Sequence, residues 1–394
     1  MLKPAVFTPQ YLQFVIKISK FCNLRCKYCY EYPYLADPAK MSLAQIEGML
    51  INILNYYQQH PELRIVDFIW HGGEPLLIKP EYYQSIKALQ KKIFGPHPIE
   101  VLNKVQTNLT VLNDTYLQAL KDALFDSIGV SIDLFGDDRV NTSGKLLQDN
   151  VLENMQILIN EGVFFGSITV LTRKTYPHVE KIYTFFDDIQ TACRFLPIYR
   201  TAFAGQHDDN GLSPEEIVNA FQRLFETWLG SNNAVSVDPI DRYISIALRV
   251  IQNDPAQALR YDKETSNSLF IVNTNGDVYS TDEVYEADSC FGNLFEQPLG
   301  EMATSPAFGA TVAHSREKMQ ATCYSCEFFG ACIGYEIAES TVEQMYTDTQ
   351  GNLICGVIKP MIAYIKDRLI EENLVDSLIQ HRPASASASG FVYQ

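Results

Sequence analysis

Nine cysteines stand in this 394-residue chain, and seven of them fall into two groups. The first group is Cys22-Asn-Leu-Arg-Cys26-Lys-Tyr28-Cys29-Tyr30. Three thiolates at spacings of four and three can hold three irons of a [4Fe–4S] cube and leave the fourth without a protein ligand. An open coordination position is what a catalytic metal needs, whereas a structural site is closed. A zinc site completed by a further ligand such as His71 is the alternative reading. The second group is Cys323-x2-Cys326-x5-Cys332, with Cys355 following after a longer gap. Four thiolates suffice to close a cluster or to hold a zinc ion. An odd count in a chain with no secretory start argues against a disulfide framework and for metal or redox chemistry. Cys193 reads as a core residue. Cys290 reads as a buried small hydrophobe, with a substrate-facing thiol or a cluster ligand as alternatives.

Strand and helix patterns alternate around these thiols. Short runs rich in β-branched and aromatic residues predict strands at 13–19, 64–70, 101–106, 127–132, 164–171 and 193–199. Ser42 sits three residues before Gln45, a capping-box spacing, and Leu43, Ile46, Leu50, Ile53, Leu54 and Tyr57 then recur at helical period. Further helices are expected over 113–123, 146–161 and 177–186. Strands each followed by a helix imply a parallel sheet with right-handed crossovers, curled into a partial barrel or left open. In such folds the loops after the strands carry the site, and Cys22 follows the first strand directly. Residues 214–229 and 239–252 read as two bridging helices. Beyond them Asn275-Gly276, between apolar runs at 269–272 and 278–280, signals a β-hairpin because both turn residues tolerate positive φ. A last helix is expected over 358–374, and the tail with ASASASG is of low complexity.

Three more strand ends carry polar motifs. His71-Gly72-Gly73-Glu74-Pro75-Leu76 ends the second strand. Its glycines let backbone approach a ligand closely, and its carboxylate can accept hydrogen bonds from an ammonium group. Gln106-Thr107-Asn108-Leu109 ends the third and Ser131-Ile132-Asp133 the fourth; singly, Asn108, Ser131 and Asp133 suit turns and caps equally well.

Together with CxxxCxxC, these motifs in this order resemble the radical S-adenosylmethionine (radical SAM) superfamily over roughly residues 11–200. The resemblance implies a partial (β/α)6 TIM-like barrel, a [4Fe–4S] cluster on Cys22, Cys26 and Cys29, and S-adenosylmethionine chelating the open iron. It assigns the methionine amino group to Gly72, Gly73 and Glu74, and sets Asn108 on the cofactor side. It places Ser131 and Asp133 near the ribose and carboxylate, and matches Tyr28 to the aromatic whose backbone contacts the adenine. Leu109 replaces the glycine of the family's QTNG, so a different loop is expected there. In the family a 5′-deoxyadenosyl radical abstracts a substrate hydrogen inside a shielded barrel mouth.

The late cysteines resemble the auxiliary-cluster region of SPASM and twitch domains, which implies one auxiliary [4Fe–4S] cluster on Cys323, Cys326, Cys332 and Cys355. The hairpin and Phe291-Gly292-Asn293-Leu294 fit the same pattern. Val278-Tyr279-Ser280-Thr281-Asp282 lacks the usual cysteine, and Glu336 stands where another is common, so no second auxiliary cluster is expected. The expected architecture is α/β: a radical SAM partial barrel over 1–205, bridging helices over 206–262, a small cysteine-rich α+β SPASM/twitch-like domain over 263–380, and a flexible tail over 381–394.

This combination most resembles maturases of ribosomally made peptides, of the cyclophane- or crosslink-forming type. The expected reaction takes a hydrogen from a precursor peptide and installs a crosslink. Thioether formation, epimerisation, backbone excision and sulfatase-maturase-like oxidation are the alternatives, and an iron–sulfur electron-transfer protein is the non-enzyme alternative. Expected partners are a precursor peptide with its leader and an external electron donor such as flavodoxin or ferredoxin. Because the first strand begins near residue 13, leader recognition is expected from the C-terminal domain, the bridging helices or a separate leader-recognition protein. Asp133, Asp282 and Glu336 are candidate proton acceptors by position.

Composition bounds the rest. A hydrophobic share of 46%, with 22 Phe and 22 Tyr, excludes a largely disordered chain. A formal charge of −16 argues against nucleic acid or an anionic membrane as partner. No apolar run approaches the ~20 residues that span a bilayer, and residues 1–10 lack the features of a signal peptide, so a cytoplasmic protein is expected.

Overall fold

The computed structural model describes residues 4–198, 210–280, 287–341 and 345–381. Six strands form the barrel sheet: β1 Tyr11–Ser19, β2 Ile65–Gly72, β3 Glu100–Thr107, β4 Ser127–Ser131, β5 Gly166–Leu171 and β6 Cys193–Pro197. They pair in parallel in sequence order. All their C-terminal ends therefore lie along one edge. Helices follow them: α1 Leu43–Gln59, α2 Pro80–Phe94, α3 Asp114–Lys121, α4 Gln148–Asn160, α5 Val179–Asp188 and α6 Pro214–Leu229, then α7 Ile240–Gln252. Both arms of the expected capping box on α1 are present. Leu43, its first residue, is exposed, while Ile46, Leu50, Ile53, Leu54 and Tyr57 are buried as expected. The sequence reading missed α2, although Pro80 at its first position, Glu81 in its first turn and Tyr83, Ile86, Ile93 and Phe94 at helical spacing mark it; its N-cap Lys79 makes no side-chain cap.

The sheet is open and ten-stranded. β7 Val237–Asp238 extends one side, and the other runs β8 Leu269–Val272, β9 Asp277–Tyr279 and β10 Gly292–Asn293. The expected hairpin is β8–β9, with Gly276 at φ +92° in its turn. β8 lies parallel to β1, from Leu269 opposite Gln13 to Val272 opposite Ile16, so the hairpin continues the barrel sheet. The cysteine-rich remainder comprises α8 Pro306–Thr322, α9 Tyr335–Glu339, a small hairpin of β11 Tyr346–Thr347 and β12 Leu353–Ile354, and α10 Ile358–Glu371. α8 escaped the sequence reading although its buried positions, Phe308, Val312, Ser315 and Met319, recur at helical spacing, because alanines on its other faces blur the apolar contrast. Residue 205, Thr281, Asp282 and the tail beyond 381 lie outside the described residues.

β1 is sandwiched between β8 and β2, and all but its first residue is buried. Three of those buried residues, Gln13, Lys17 and Ser19, are polar. Gln13 donates to Asp67 Oδ2 at 2.8 Å, and Lys104 pairs with the same oxygen at 2.8 Å, which offsets the charge inside the sheet.

Candidate active site

The loops after β1 to β4 meet at one cavity of about 400 Å3, lined among others by Cys22, Cys26, Tyr28, Cys29, Gly72, Gly73, Asn108 and Ser131. Parallel pairing brings these distant residues together, because it delivers each strand end to the same edge. The two glycines are needed for a reason beyond ligand approach. A Cβ on Gly72 would stand 2.0 Å from the Ser19 carbonyl oxygen, and one on Gly73 would stand 2.2 Å from that of Phe21. Gly72 adds φ +122°, a backbone state that favours glycine. Gly73 N donates to Ser19 O at 2.8 Å and Glu74 N to Phe21 O at 2.9 Å. The motif thus fastens the cysteine loop to β2.

Glu74, expected to meet an ammonium group, is instead fully buried and not on the cavity wall. Its carboxylate accepts from Leu76 N at 2.8 Å, Thr107 Oγ1 at 2.7 Å and Asn108 N at 2.6 Å, so it ties the β2 loop to the end of β3. Burial raises its pKa. Asn108 lies on the cavity wall, and its Nδ2 donates to Asn23 Oδ1 at 3.0 Å. Leu109 adopts φ +51° with its side chain fully buried, the backbone state a glycine would favour. Ser131 accepts from Gln106 Nε2 at 2.7 Å on the wall.

Asp133 is buried behind that wall, where it accepts from Val170 N at 2.8 Å and from the Tyr28 hydroxyl. Arg139 completes the group: its Nη1 donates to Tyr28 OH at 3.0 Å and lies 3.9 Å from Asp133 Oδ2. Burial opposes the guanidinium charge, and the hydrogen bond to the Tyr28 hydroxyl and the nearby Asp133 carboxylate favour the cation. Sequence reasoning missed Arg139, which sits in an irregular segment with no period to flag it.

A second omission had a visible signal, a lysine inside the otherwise apolar run QFVIKIS. Lys17, 1% exposed, pairs with Glu31 at 2.8 Å, donates to the Tyr30 hydroxyl and lies 4.4 Å from the Tyr30 ring centroid. Tyr30 and Glu31 line the cavity beside His71. His71 Nδ1 accepts from Gly72 N at 2.7 Å.

Burial pushes the Cys22 thiol up to about 12, with the Glu74 carboxylate adding to the shift. Burial raises Cys26 and Cys29 too. Thiols so placed become ligands only when a cation offsets the desolvation of the thiolate. The donor set therefore fits an iron centre with one open position facing the cavity.

The late cysteines converge as the spacing implied. Cys323, Cys326, Cys332 and Cys355 line one small cavity with Glu336 and Lys359. Burial, then Glu336, pushes Cys332 up to about 12, and burial raises Cys355 to about 11. Among the described residues no three His, Cys, Asp or Glu side chains are gathered onto the coordination sphere of a single metal ion. Four thiolates on one cavity suffice to close a four-iron cube or to hold a zinc ion at about 2.3 Å per Zn–S bond, and the donor set fits either. Glu336 pairs with Arg242 at this second cavity, away from the first. Cys193 is fully buried in the core. Cys290 packs against the cluster of Val15, Ile69, Ile271 and Tyr279, and lines neither cysteine cavity.

Residues 16–186 match the model of the Radical SAM superfamily. The chain carries a radical SAM domain, and the protein is an enzyme whose cofactors are a [4Fe–4S] cluster and S-adenosylmethionine. It is 26% identical over 339 residues to a serine-type anaerobic sulfatase-maturating enzyme of Bacteroides thetaiotaomicron, covering 80% of each chain. A cysteine-type anaerobic sulfatase-maturating enzyme of Clostridium perfringens is 25% identical over 371 residues, with 89% of this chain and 95% of that one covered. Among solved structures, native anSMEcpe with bound AdoMet and Kp18Cys peptide superposes with a TM-score of 0.74 at 21% identity, over 93% of this chain and 99% of that one. Streptococcus suis SuiB bound to precursor peptide SuiA gives 0.57 at 12%, over 87% and 76%. At these identities the structures show a shared fold. Among the described residues no helix is long and apolar enough to cross a membrane.

Proposed function

We propose that this enzyme is a radical SAM maturase that takes a hydrogen from a side chain of a peptide or protein and installs a crosslink. Cys22, Cys26 and Cys29 hold the catalytic cluster in this reading. The observation that carries it is a single cavity lined jointly by three thiols, two buried and one half-buried, and the ends of four parallel strands. Bound there, the cluster and S-adenosylmethionine supply hydrogen-atom abstraction from the substrate. The chain's own residues orient and shield. Gly72 and Gly73 present backbone, Asn108 an amide and Ser131 a hydroxyl. Arg139 brings a buried cation to the wall for the cofactor carboxylate. Asp133 orients Tyr28, and Glu74 orients Asn108. Ile168, Val170, Leu196 and Ile198 form an apolar wall that excludes water. Cys323, Cys326, Cys332 and Cys355 hold one auxiliary [4Fe–4S] cluster with no open iron.

The substrate class is a ribosomally made precursor peptide. Its leader is recognised by the C-terminal unit or by a separate protein, and flavodoxin or ferredoxin is the external electron donor. Similarity to sulfatase maturases over 80% of the chain favours a second reading, oxidation of a serine or cysteine in a protein substrate. Anaerobic incubation with S-adenosylmethionine, a reductant and each peptide type tests both. A crosslink removes two hydrogens and suppresses fragmentation between the joined residues, whereas oxidation of the second kind leaves an aldehyde that reacts with a hydrazide. Absence of 5′-deoxyadenosine under every condition would sink both readings.

A further inference from the structure

Three residues on the wall of the cofactor cavity come from outside the barrel strands and the loops between them. Leu212 and Ile217 flank the start of α6, and Tyr346 belongs to β11. The α6 end is tied to the barrel. Ser213 and Glu216 form a complete capping box, and Arg173, just after β5, donates to Gly211 O at 2.8 Å and pairs with Glu216 at 3.0 Å. Tyr346 is tied elsewhere. In the small hairpin it stands opposite Ile354, and the next residue in the chain is Cys355, which lines the auxiliary cavity.

The two ties meet at Gly356. A Cβ there would stand 3.2 Å from Pro214 Cβ, the first residue of α6, and 3.2 Å from Tyr346 Cδ2. The backbone next to an auxiliary cysteine is therefore packed between the start of α6 and the tyrosine of the cofactor cavity, so that any side chain there would push its neighbours apart by a few tenths of an ångström. Cys355 and Gly356 also lead directly into α10 at Ile358, which packs on α6 and α7. The segment is thus held from its C-terminal side, and a ligand on Cys355 would hold it at the turn.

We propose that Tyr346 is a positioning residue for S-adenosylmethionine, and that the auxiliary cysteine site sets its place. A cluster bound at Cys323, Cys326, Cys332 and Cys355 fixes the Cys355–Gly356 turn against Pro214, which completes the wall of Leu212, Ile217 and Tyr346. Cofactor affinity at the first site then depends on occupancy of the second. The inference rests on the cofactor assignment of the proposed function.

The test is equilibrium dialysis of radiolabelled S-adenosylmethionine against the anaerobically reconstituted enzyme, with iron counted in each sample. The electron paramagnetic resonance spectrum of the reduced protein is recorded with and without S-adenosylmethionine. Gly356→Val keeps all seven clustered cysteines and should retain wild-type iron while binding about tenfold more weakly. Cys355→Ala should lose the auxiliary iron and show the same weakening. Tyr346→Ala should match them, and Tyr346→Phe should stay within about twofold of wild type, because the ring and not the hydroxyl makes the wall. Wild-type affinity in Cys355→Ala or Tyr346→Ala overturns the inference; the latter touches no cysteine and decides the matter if Gly356→Val does not fold. A wild-type enzyme that binds no S-adenosylmethionine overturns the cofactor assignment instead.

Discussion

The two cysteine sites are built on different principles. The first hangs its thiols on a loop that leaves a central strand, and two glycines clamp that loop to the next strand through backbone contacts. Its fourth side is a cavity. The second draws its thiols from the turn after α8 and the segment before α10, and all four line one small cavity. Each site has a buried lysine–glutamate pair within its region: Lys17–Glu31 at 2.8 Å in the first, and Lys263–Glu339 at 2.5 Å in the second. Only the first pair includes a cavity-lining residue. A rigid sheet edge can present an open metal position to a small molecule, whereas an assembly of turns needs all four ligands to be held together.

The sharpest way to break this comparison is to delete one site at a time. Replacing Cys22, Cys26 and Cys29 with Ala should abolish formation of 5′-deoxyadenosine and lower reconstituted iron from about eight to about four per chain. Replacing the four late cysteines should lower iron equally while leaving some cleavage of S-adenosylmethionine. A fall from about four to none in the first variant would mean that the late cysteines bind no cluster.

Next in size are the buried ion pairs. Lys17→Met leaves the Glu31 carboxylate unpaired and should cost about 3–5 kcal/mol, read as a lowered midpoint in chemical denaturation. Adding Glu31→Gln should recover most of the loss. Lys263→Met should cost a similar amount, yet leave S-adenosylmethionine binding to the remaining folded protein unchanged. Equal effects of the two lysine variants on cofactor binding would erase the proposed difference between the sites.

The glycines sharpen the contrast further. Gly73→Ala forces a Cβ against the Phe21 carbonyl, which belongs to the cysteine loop, and should lower iron retention at the first site. Gly334→Ala meets the Met319 thioether at 2.6 Å, a flexible neighbour, with φ +81°. The same Cβ would stand 3.2 Å from Cys323 Sγ, so a partial loss of iron at the second site is expected beside a cost of about 1–2 kcal/mol for the positive φ. The smallest effect is expected at the α6 cap: Ser213→Ala should cost about 1 kcal/mol in thermal stability without altering either iron count.

Much of the first site was legible in the sequence because its parts are local. Short motifs at the ends of regular strands can be placed from periodicity alone, and parallel order then brings them together. The register of β8 against β1 was not legible, since a hairpin signal says where the chain turns and not which strand it joins. Roles shifted within motifs that had been located correctly. Glu74 and Asp133 were read as ligand-facing carboxylates, and the structure puts both behind the wall, where they orient Asn108 and Tyr28.

By itself, the sequence determined the two thiol sets, the strand and helix order that positions the first of them, and the glycine pair beside it, because residue type and spacing encode donor number and local backbone freedom. Only the tertiary structure decided which groups share a cavity. Arg139 and Tyr346 reach the first site from segments with no motif, Lys17 was marked only as a charge within an apolar run, and Gly356 joins the first site to the second. Such contacts depend on how whole elements pack, and no spacing along the chain records that.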